Sequence, residues 1–480
     1  MLFLFLLAVA VLFASPTLAQ PIDPFPTPIP ATDGVITVRF AEFASLPDVG
    51  TEAARMMLLV DEPGTRRLFV SDMRGILYTV SYDGKAVAPY LDLREAGWGV
   101  AVQSANFERG LQSVAFHPQF NRRGAPGFGR FYTFTDSSNT TPAADFTPGG
   151  GKRTHDTVLH EWIAKNPAAA AYDGAAPREL MRFDQPFVNH NGGHLIFNPL
   201  AASGDADFGL LYVGSADGGS GGDPLHTGQN LKSAFGKILR IDPLGSNSAN
   251  KKYGIPASNP FVKGRNAEAL GEIYAYGVRN PQRFFWDSKT RVMFVADIGQ
   301  NIVEEISPVT AGANLGWNIW EGSFLFTKGT VSTENPRGDK SMTYPVAEFG
   351  HSDPLLQRGS AITGGMVYRR TAIRQLANLM IFGDIVSGEI FYVNADKLPA
   401  GGQDAIRRIL FDEATGGEPK TLLQLIHATN AKQGKPPATR ADLRFGTGPD
   451  GRVFILNKRD GVIRVLVPGA SRPSPKLPAD

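Results

Sequence analysis

Residues 57–84, MLLVDEPGTRRLFVSDMRGILYTVSYDG, decide how the chain is read. An apolar run from Met57 to Val60 meets a turn at Pro63-Gly64. A second run, Leu68–Val70, follows, and after Gly75 a third, Ile76–Val80, ends at Asp83-Gly84. Short runs of period two, split by Gly, Pro and Asp, read as antiparallel strands joined by tight turns. The same grammar returns from Leu111 (LQSVAFHPQF, GRFYTFTD, DTVLHEWIA), from Gly192 (GGHLIFNPL, GLLYVGSADG, GKILRIDP) and from Glu272 (EIYAYGVRNPQRFFWDSKTRVMFVADIGQNIVEEIS). It returns again from Ala361 (AITGGMVYRR, LMIFGDIVSGEIFYVNAD) and from Leu443 (LRFGTGPDGRVFILNKRDGVIRVLVP), which makes six copies. A small sheet of this kind must bury its faces against neighbouring copies. The expectation is an all-β fold, a six-bladed β-propeller of four-stranded antiparallel blades. Gly34–Ala44 (GVITVRFAEFA) is one more strand ahead of the first copy. It is predicted to pair with Val462–Val467 and close the ring, which removes exposed edges.

The rest of the chain fits around that unit. With 48 basic against 46 acidic residues and a net charge of +2, nucleic acid and anionic membrane are poor candidates for the main partner. The 53 glycines and 35 prolines fit a turn-rich protein rather than a bundle of long helices. No cysteine is present, which excludes disulfides, thiolate nucleophiles and Cys-ligated metals. Met1–Ala19 reads as a secretory signal, an apolar run from Leu2 to Ala14 followed by Thr17-Leu18-Ala19, too short for a membrane span. Residues 20–33 form a Pro-rich spacer, 34–468 the propeller and 469–480 a polar tail. The long inserts 137–153, 244–271 and 321–356 lack core periodicity and read as loops.

Several motifs look chemical and are turns. Gly446-Thr-Gly-Pro-Asp-Gly451 has dinucleotide-site spacing but leads into the strand Val453-Phe-Ile455, where such a site needs a helix. Gly218-Gly-Ser-Gly-Gly222 has nucleophile-elbow spacing, yet Asp223-Pro224 follows it. The eight histidines show no zinc-hydrolase spacing, and His117, at a strand-to-turn junction, reads as structural. His190 differs: Asn189-His-Asn-Gly-Gly-His194 sets an imidazole among amides and glycines just before a strand, where a base or a hydrogen-bonded loop histidine both fit. Arg279-Asn280 sits where a chain turns after Ile273–Tyr276 and can hold an anionic or polyhydroxy ligand or a blade carboxylate. Asp297-Ile-Gly-Gln-Asn301 with Glu304-Glu305 offers carbonyls beside carboxylates, the hard oxygen donors that calcium prefers.

Taken together, Glu108–Pro118, His190–Leu195, Gly236–Asp242, Tyr276–Gln282, Gly299-Gln300 with Glu304–Ile306, Gly312–Trp317 and Gly446–Gly451 resemble the soluble pyrroloquinoline quinone (PQQ) dependent sugar dehydrogenases. These are the glucose/sorbosone and aldose sugar dehydrogenases, a family that includes hedgehog-interacting-protein-like propellers. The matching pieces keep family order over residues 108–451. The resemblance implies a six-bladed propeller and the cofactors PQQ and Ca²⁺. It implies His190 as the base that removes the sugar C1 hydroxyl proton, with Arg279 and Asn280 contacting quinone and substrate oxygens. Glu108, Asn189, Arg440 and Arg444 are implied as cofactor contacts, and Gly299, Gln300 and Glu305 as calcium ligands. Departures from the pattern are Val386 where a quinone-binding Lys is expected, Ile298 for a polar residue, Gln300 for Pro, Glu108 for Gln and Asn189 for Asp. Arg440 and Arg444 match an expected arginine pair only loosely.

The functional expectation is an exported, periplasmic or secreted, oxidoreductase that converts a sugar or polyol to the lactone or acid and passes electrons to an external acceptor, a cytochrome or quinone-linked carrier. The alternatives are a non-catalytic carbohydrate- or protein-binding propeller and a calcium-dependent lactonase. The lactonase would need several carboxylates converging on one channel metal.

Overall fold

Met56–Glu62, Arg67–Asp72 and Ile76–Ser81 run antiparallel, and Val87–Asp92 adds the fourth strand of the first unit. The computed structural model describes residues 23–262, 268–356, 359–412 and 417–469. The signal at residues 1–19 and nearly all of the polar tail lie outside them.

Three further four-stranded antiparallel sheets follow. The second unit is Leu111–Phe116, Arg130–Ser137, His155–Ile163 and Arg178–Gln185. Leu195–Phe197, Leu211–Ser215, Lys237–Ile241 and Ile273–Tyr276 make the third. Pro281–Trp286, Met293–Asp297, Val303–Val309 and Ala347–Gly350 make the fourth. Two more units, Ile362–Tyr368 to Arg407–Asp412 and Arg444–Thr447 to Val462–Val467, join the first in one twelve-stranded sheet. The result is a β-propeller-like fold, and its solvent-excluded core lies between units rather than within them. Leu77 and Val114 meet between the first and second units, Phe183 and Leu239 between the second and third, Tyr212 and Phe284 between the third and fourth. Phe294 packs with Met380, Ile381 with Ile455, and a last cluster brings Phe454 and Ile463 back onto Leu59 and Val70 of the first unit.

The N-terminal strand joins both halves of that seam. Ile36–Ser45 pairs antiparallel with Val462–Val467 from Arg39 opposite Val467 to Ser45 opposite Val462, with a bulge after Glu42. Its first four residues also pair in parallel with Ile409–Asp412. Alternation explains the fit, because Val38 is buried while its neighbours Thr37 and Arg39 are more open.

Three expectations need correction. Ile273–Tyr276 is the outermost strand of the third unit rather than the start of the fourth. The 321–356 insert is not all loop. It carries the strand Phe324–Thr327, which pairs with Trp320–Glu321 on one side and Thr330–Ser332 on the other, and it supplies the fourth unit's last strand, Ala347–Gly350. There the alternation is masked because Glu348 is buried as deeply as Ala347 and Phe349. The Pro-rich stretch is docked rather than free. Phe25 meets Phe324 edge-on at 5.5 Å, and the buried Ile29 donates its N–H to Asp353 Oδ2 at 2.7 Å. The helix Leu422–Lys432, unforeseen in the sequence, starts from a capping box between Thr421 and Gln424 and lays Leu422, Leu425 and Ile426 against the cluster of the last two units.

Candidate active site

Glu108, Asn189, His190, Arg279, Asn280 and Arg440 lie in loops that precede the first strand of a unit, whereas Gly299 and Gln300 lie between the second and third strands of the fourth. In the loop before Leu195–Phe197 the backbone of His190 takes φ +56°, followed by Gly192 at +69° and Gly193 at +147°. A Cβ at Gly192 would lie 2.6 Å from Gly214 O, so glycine is required there. The loop is held at both ends of the histidine. His190 N–H donates to Glu108 Oε2 at 2.7 Å, and its ring Nδ1 lies 2.7 Å from Asp217 Oδ1. Asn189 Oδ1 accepts from Ser220 N–H at 3.0 Å, so both Asn189 and the glycine-rich loop 218–222 serve as loop anchors.

Asp217 was not read from the sequence, and it organises the centre. It follows Leu211–Ser215 and accepts from Gly219 N–H at 2.9 Å on Oδ1 and from Trp317 Nε1–H at 2.9 Å on Oδ2. A carboxylate only accepts, so its contact with His190 assigns the ring proton to Nδ1 and leaves the Nε2 lone pair free. No protein hydrogen bond engages Nε2 among the described residues. The signal for Asp217 was present as Asp-Gly-Gly at a strand end, but its partner lies 27 residues upstream. Behind it, the buried Lys237 ammonium donates to the carbonyls of Thr227, Gly228 and Phe235 and pins the loop whose Thr227 hydroxyl donates to Asp217 O at 2.8 Å. Burial pushes the Lys237 ammonium down to about 7.

Arg279 and Asn280 stand across from this pair. Both backbone N–H groups donate to Asp297, at 2.7 and 2.6 Å, which fixes where the side chains start. Arg279 reaches Ile298 O with Nη1 at 2.9 Å and Gln300 Oε1 with Nε at 3.2 Å, while its guanidinium lies 5.6 Å from the Trp317 ring centroid. Its Nη2 makes no protein hydrogen bond among the described residues. Asp217 N–H donates to Arg279 O at 2.8 Å, so base and arginine are tied through one backbone contact.

The loop Gly299-Gln300 is held from below by carboxylates: Glu321 Oε1 accepts from Gln300 N–H at 2.8 Å, and Glu304 Oε2 from Gly299 N–H at 3.3 Å. Glu305 lies opposite Asp297 in the strand pairing. Burial, with Asp297 and Glu348 nearby, drives the Glu305 carboxyl well up, and burial raises Asp297 to about 7. Both are buried carboxyls whose charged form burial disfavours, with the Arg279 and Asn280 backbone N–H groups donating to Asp297. Among the described residues no three side-chain ligands converge as a metal cage, so a cation here would rely on backbone carbonyls.

Arg440 and Arg444 flank the buried Asp442, and the structure adds Lys458, Arg459 and Arg55 to them. Arg440 Nε contacts Asp442 Oδ1 at 2.6 Å and Arg459 Nη2 contacts Oδ2 at 2.5 Å. Both guanidinium groups lie over the Phe107 ring, at 5.0 and 5.3 Å. Lys458 Nζ is buried on Phe107 O at 2.9 Å, and the Arg444 Nε is buried with no acceptor. Burial pushes Arg444 down to about 10 and, with Arg444 beside it, Lys458 well below its usual range. Asp442 thus faces four cations, Arg440, Arg444, Lys458 and Arg459, an excess of positive charge suited to an anion. Lys458-Arg459 follows the strand Val453–Leu456, and nothing in the local pattern links it to residues 55 or 107.

The glucose/sorbosone dehydrogenase family model matches residues 54–410. The chain belongs to this family. HIPL1 protein of Arabidopsis thaliana is 29% identical over 365 residues, which is 68% of this chain and 50% of that protein. Aldose sugar dehydrogenase YliI of Escherichia coli is 32% identical over 270 residues, 56% of this chain and 57% of that protein. The chain spans about half the length of the curated relatives it matches. The PQQ-bound aldose sugar dehydrogenase of Streptomyces coelicolor superposes over 90% of this chain and 98% of its own, with a TM-score of 0.55 at 19% identity. The apo soluble aldose sugar dehydrogenase of Escherichia coli gives 0.59 at 18%, over 90% and 99%. At these identities the two structures speak to the fold of the family, and the chemistry is argued from this chain's own residues.

Proposed function

We propose that the chain is an exported PQQ- and calcium-dependent dehydrogenase that oxidises a sugar or related polyol to the lactone or acid and hands electrons to an external acceptor. We propose further that its four-strand units are the six blades of a closed propeller. The observation that carries the catalytic reading is the His190–Asp217 pair, because it presents an unprotonated, uncommitted Nε2 in a loop at the start of an inner strand.

When bound, PQQ with its calcium supplies an electrophilic carbonyl that accepts hydride. The chain's residues do the rest. His190 Nε2 takes the hydroxyl proton of the substrate, and Asp217 stabilises the imidazolium that results. Trp317 and Gly219 keep that carboxylate in place by donating to it. Arg279 Nη2 and the Asn280 amide supply directed donors to ligand oxygens. Arg440, Arg444, Lys458 and Arg459 fit the cofactor's three carboxylates. On this reading Lys458 enters from the last unit and supplies the cation that Val386 does not. The carbonyls of Gly299 and Gln300, with Glu305 behind, fit calcium.

Two measurements test the proposal. Exhaustive chelation abolishes dye-linked sugar oxidation, and Ca²⁺ with PQQ restores it while either alone does not. Sugar oxidation that survives chelation, or that needs no PQQ, overturns the cofactor assignment; calcium-dependent lactone hydrolysis without dye reduction moves the reading to a lactonase, and no PQQ uptake at all moves it to a binding propeller. Separately, Lys458→Gln and Arg444→Gln each weaken PQQ uptake, read as quinone absorbance that survives desalting, by about tenfold or more, the cost of one charge-assisted hydrogen bond. Uptake equal to the parent in both variants removes this cluster from the cofactor site.

A further inference from the structure

A cavity lies where the first strands of the units come together. It has a volume of about 560 Å³ and is lined by one residue or more from the first strand of every unit, among them Leu58, Val114, Ile196, Phe285, Met366 and Phe445. Such a volume and such walls are those of a small-molecule site. Its inner end is closed by Arg283, which donates through Nη1 to Gln282 O at 2.5 Å and through Nη2 to Met57 O of the first unit, across the channel. Arg283 is only 4% exposed, its Nε has no acceptor, and no carboxylate pairs with it among the described residues. The charged group nearest in effect is another buried arginine, Arg444, and burial lowers Arg283 to about 9. His194 also lines the cavity and is 4% exposed. Its Nδ1 accepts from Phe284 N–H at 2.9 Å, so the ring proton sits on Nε2, where no protein acceptor meets it.

An uncompensated buried cation is costly, and an apolar shaft that ends on a cation and an imidazole N–H is complementary to one kind of molecule. We propose that this cavity binds an apolar monocarboxylate, such as a medium-chain fatty acid, with the carboxylate against Arg283 and His194 and the chain along the inner strands toward Trp286. The proposal does not rest on the dehydrogenase reading.

Calorimetric titration of the purified protein with decanoate tests this, with decanol and acetate as controls. Decanoate binds saturably at one site, and decanol binds at least about tenfold more weakly because it brings no charge. An ω-brominated decanoate quenches tryptophan fluorescence, and Trp286→Phe removes that quenching while calorimetric binding persists. Arg283→Gln weakens decanoate at least about tenfold. Because Arg283 also bridges the ring, Met366→Trp provides a second variant that fills the shaft without touching it, and it abolishes binding. Equal affinity for decanol and decanoate, unchanged binding in Met366→Trp, or no binding of decanoate overturns the proposal.

Discussion

His190→Gln is expected to lower sugar turnover by about 10²- to 10⁴-fold, the contribution of a positioned general base. Gln keeps the bulk and the backbone N–H that donates to Glu108, so the loop keeps its anchor. What it loses is a nitrogen lone pair able to take a proton. PQQ uptake stays near that of the parent, since the cation cluster around Asp442 is untouched. The companion change Asp217→Asn separates a base from a bystander. Its amide offers one acceptor oxygen where three donors now converge. Whichever way the amide turns, its NH₂ opposes at least one of these donors, and no negative charge remains to stabilise a protonated His190 ring. The same Asp-to-Asn change behind the catalytic histidine of a serine protease triad costs on the order of 10⁴. Turnover in either variant equal to the parent's removes the pair from the mechanism.

Removal of residues 34–44 is expected to have the largest effect on stability. The strand Ile36–Ser45 makes antiparallel and parallel contacts on its two edges. It buries Val38 completely and sets Phe40 edge-on to Phe411 at 5.4 Å and Phe43 to Phe454 at 5.0 Å. Losing three such side chains costs about 5 kcal/mol or more. The loss also leaves two sheet edges unpaired, which invites association between chains. Melting falls by on the order of 10 °C, with aggregation on heating. Unchanged melting after the deletion would mean that the seam between last and first units is held without this strand.

Strands with clean alternation, such as Met56–Glu62 and Val453–Leu456, announce themselves, as does the turn at Gly446–Gly451, where a short 3₁₀ segment at Pro449–Gly451 joins two strands. His117 is likewise legible as structural: it is buried, its Nδ1 accepts from Gln119 N–H at 3.1 Å, and burial lowers the imidazole to about 4. Ala347–Gly350 was not legible because a buried glutamate interrupts its pattern. The helix Leu422–Lys432 escaped because it stands alone in a chain otherwise of period two.

The sequence by itself determined the repeated strand unit, the strand that pairs with Val462–Val467 and the family, because each is carried by pattern or spacing within a short stretch. Only the tertiary structure decided which groups meet. Asp217 is joined to His190 and to Trp317, 100 residues downstream. Phe107 is joined to Arg440 and Arg459, and Arg283 to Met57 O across the channel, 226 residues away. Those pairings are set by how the units pack against one another, and local periodicity holds no information about partners so far apart in sequence.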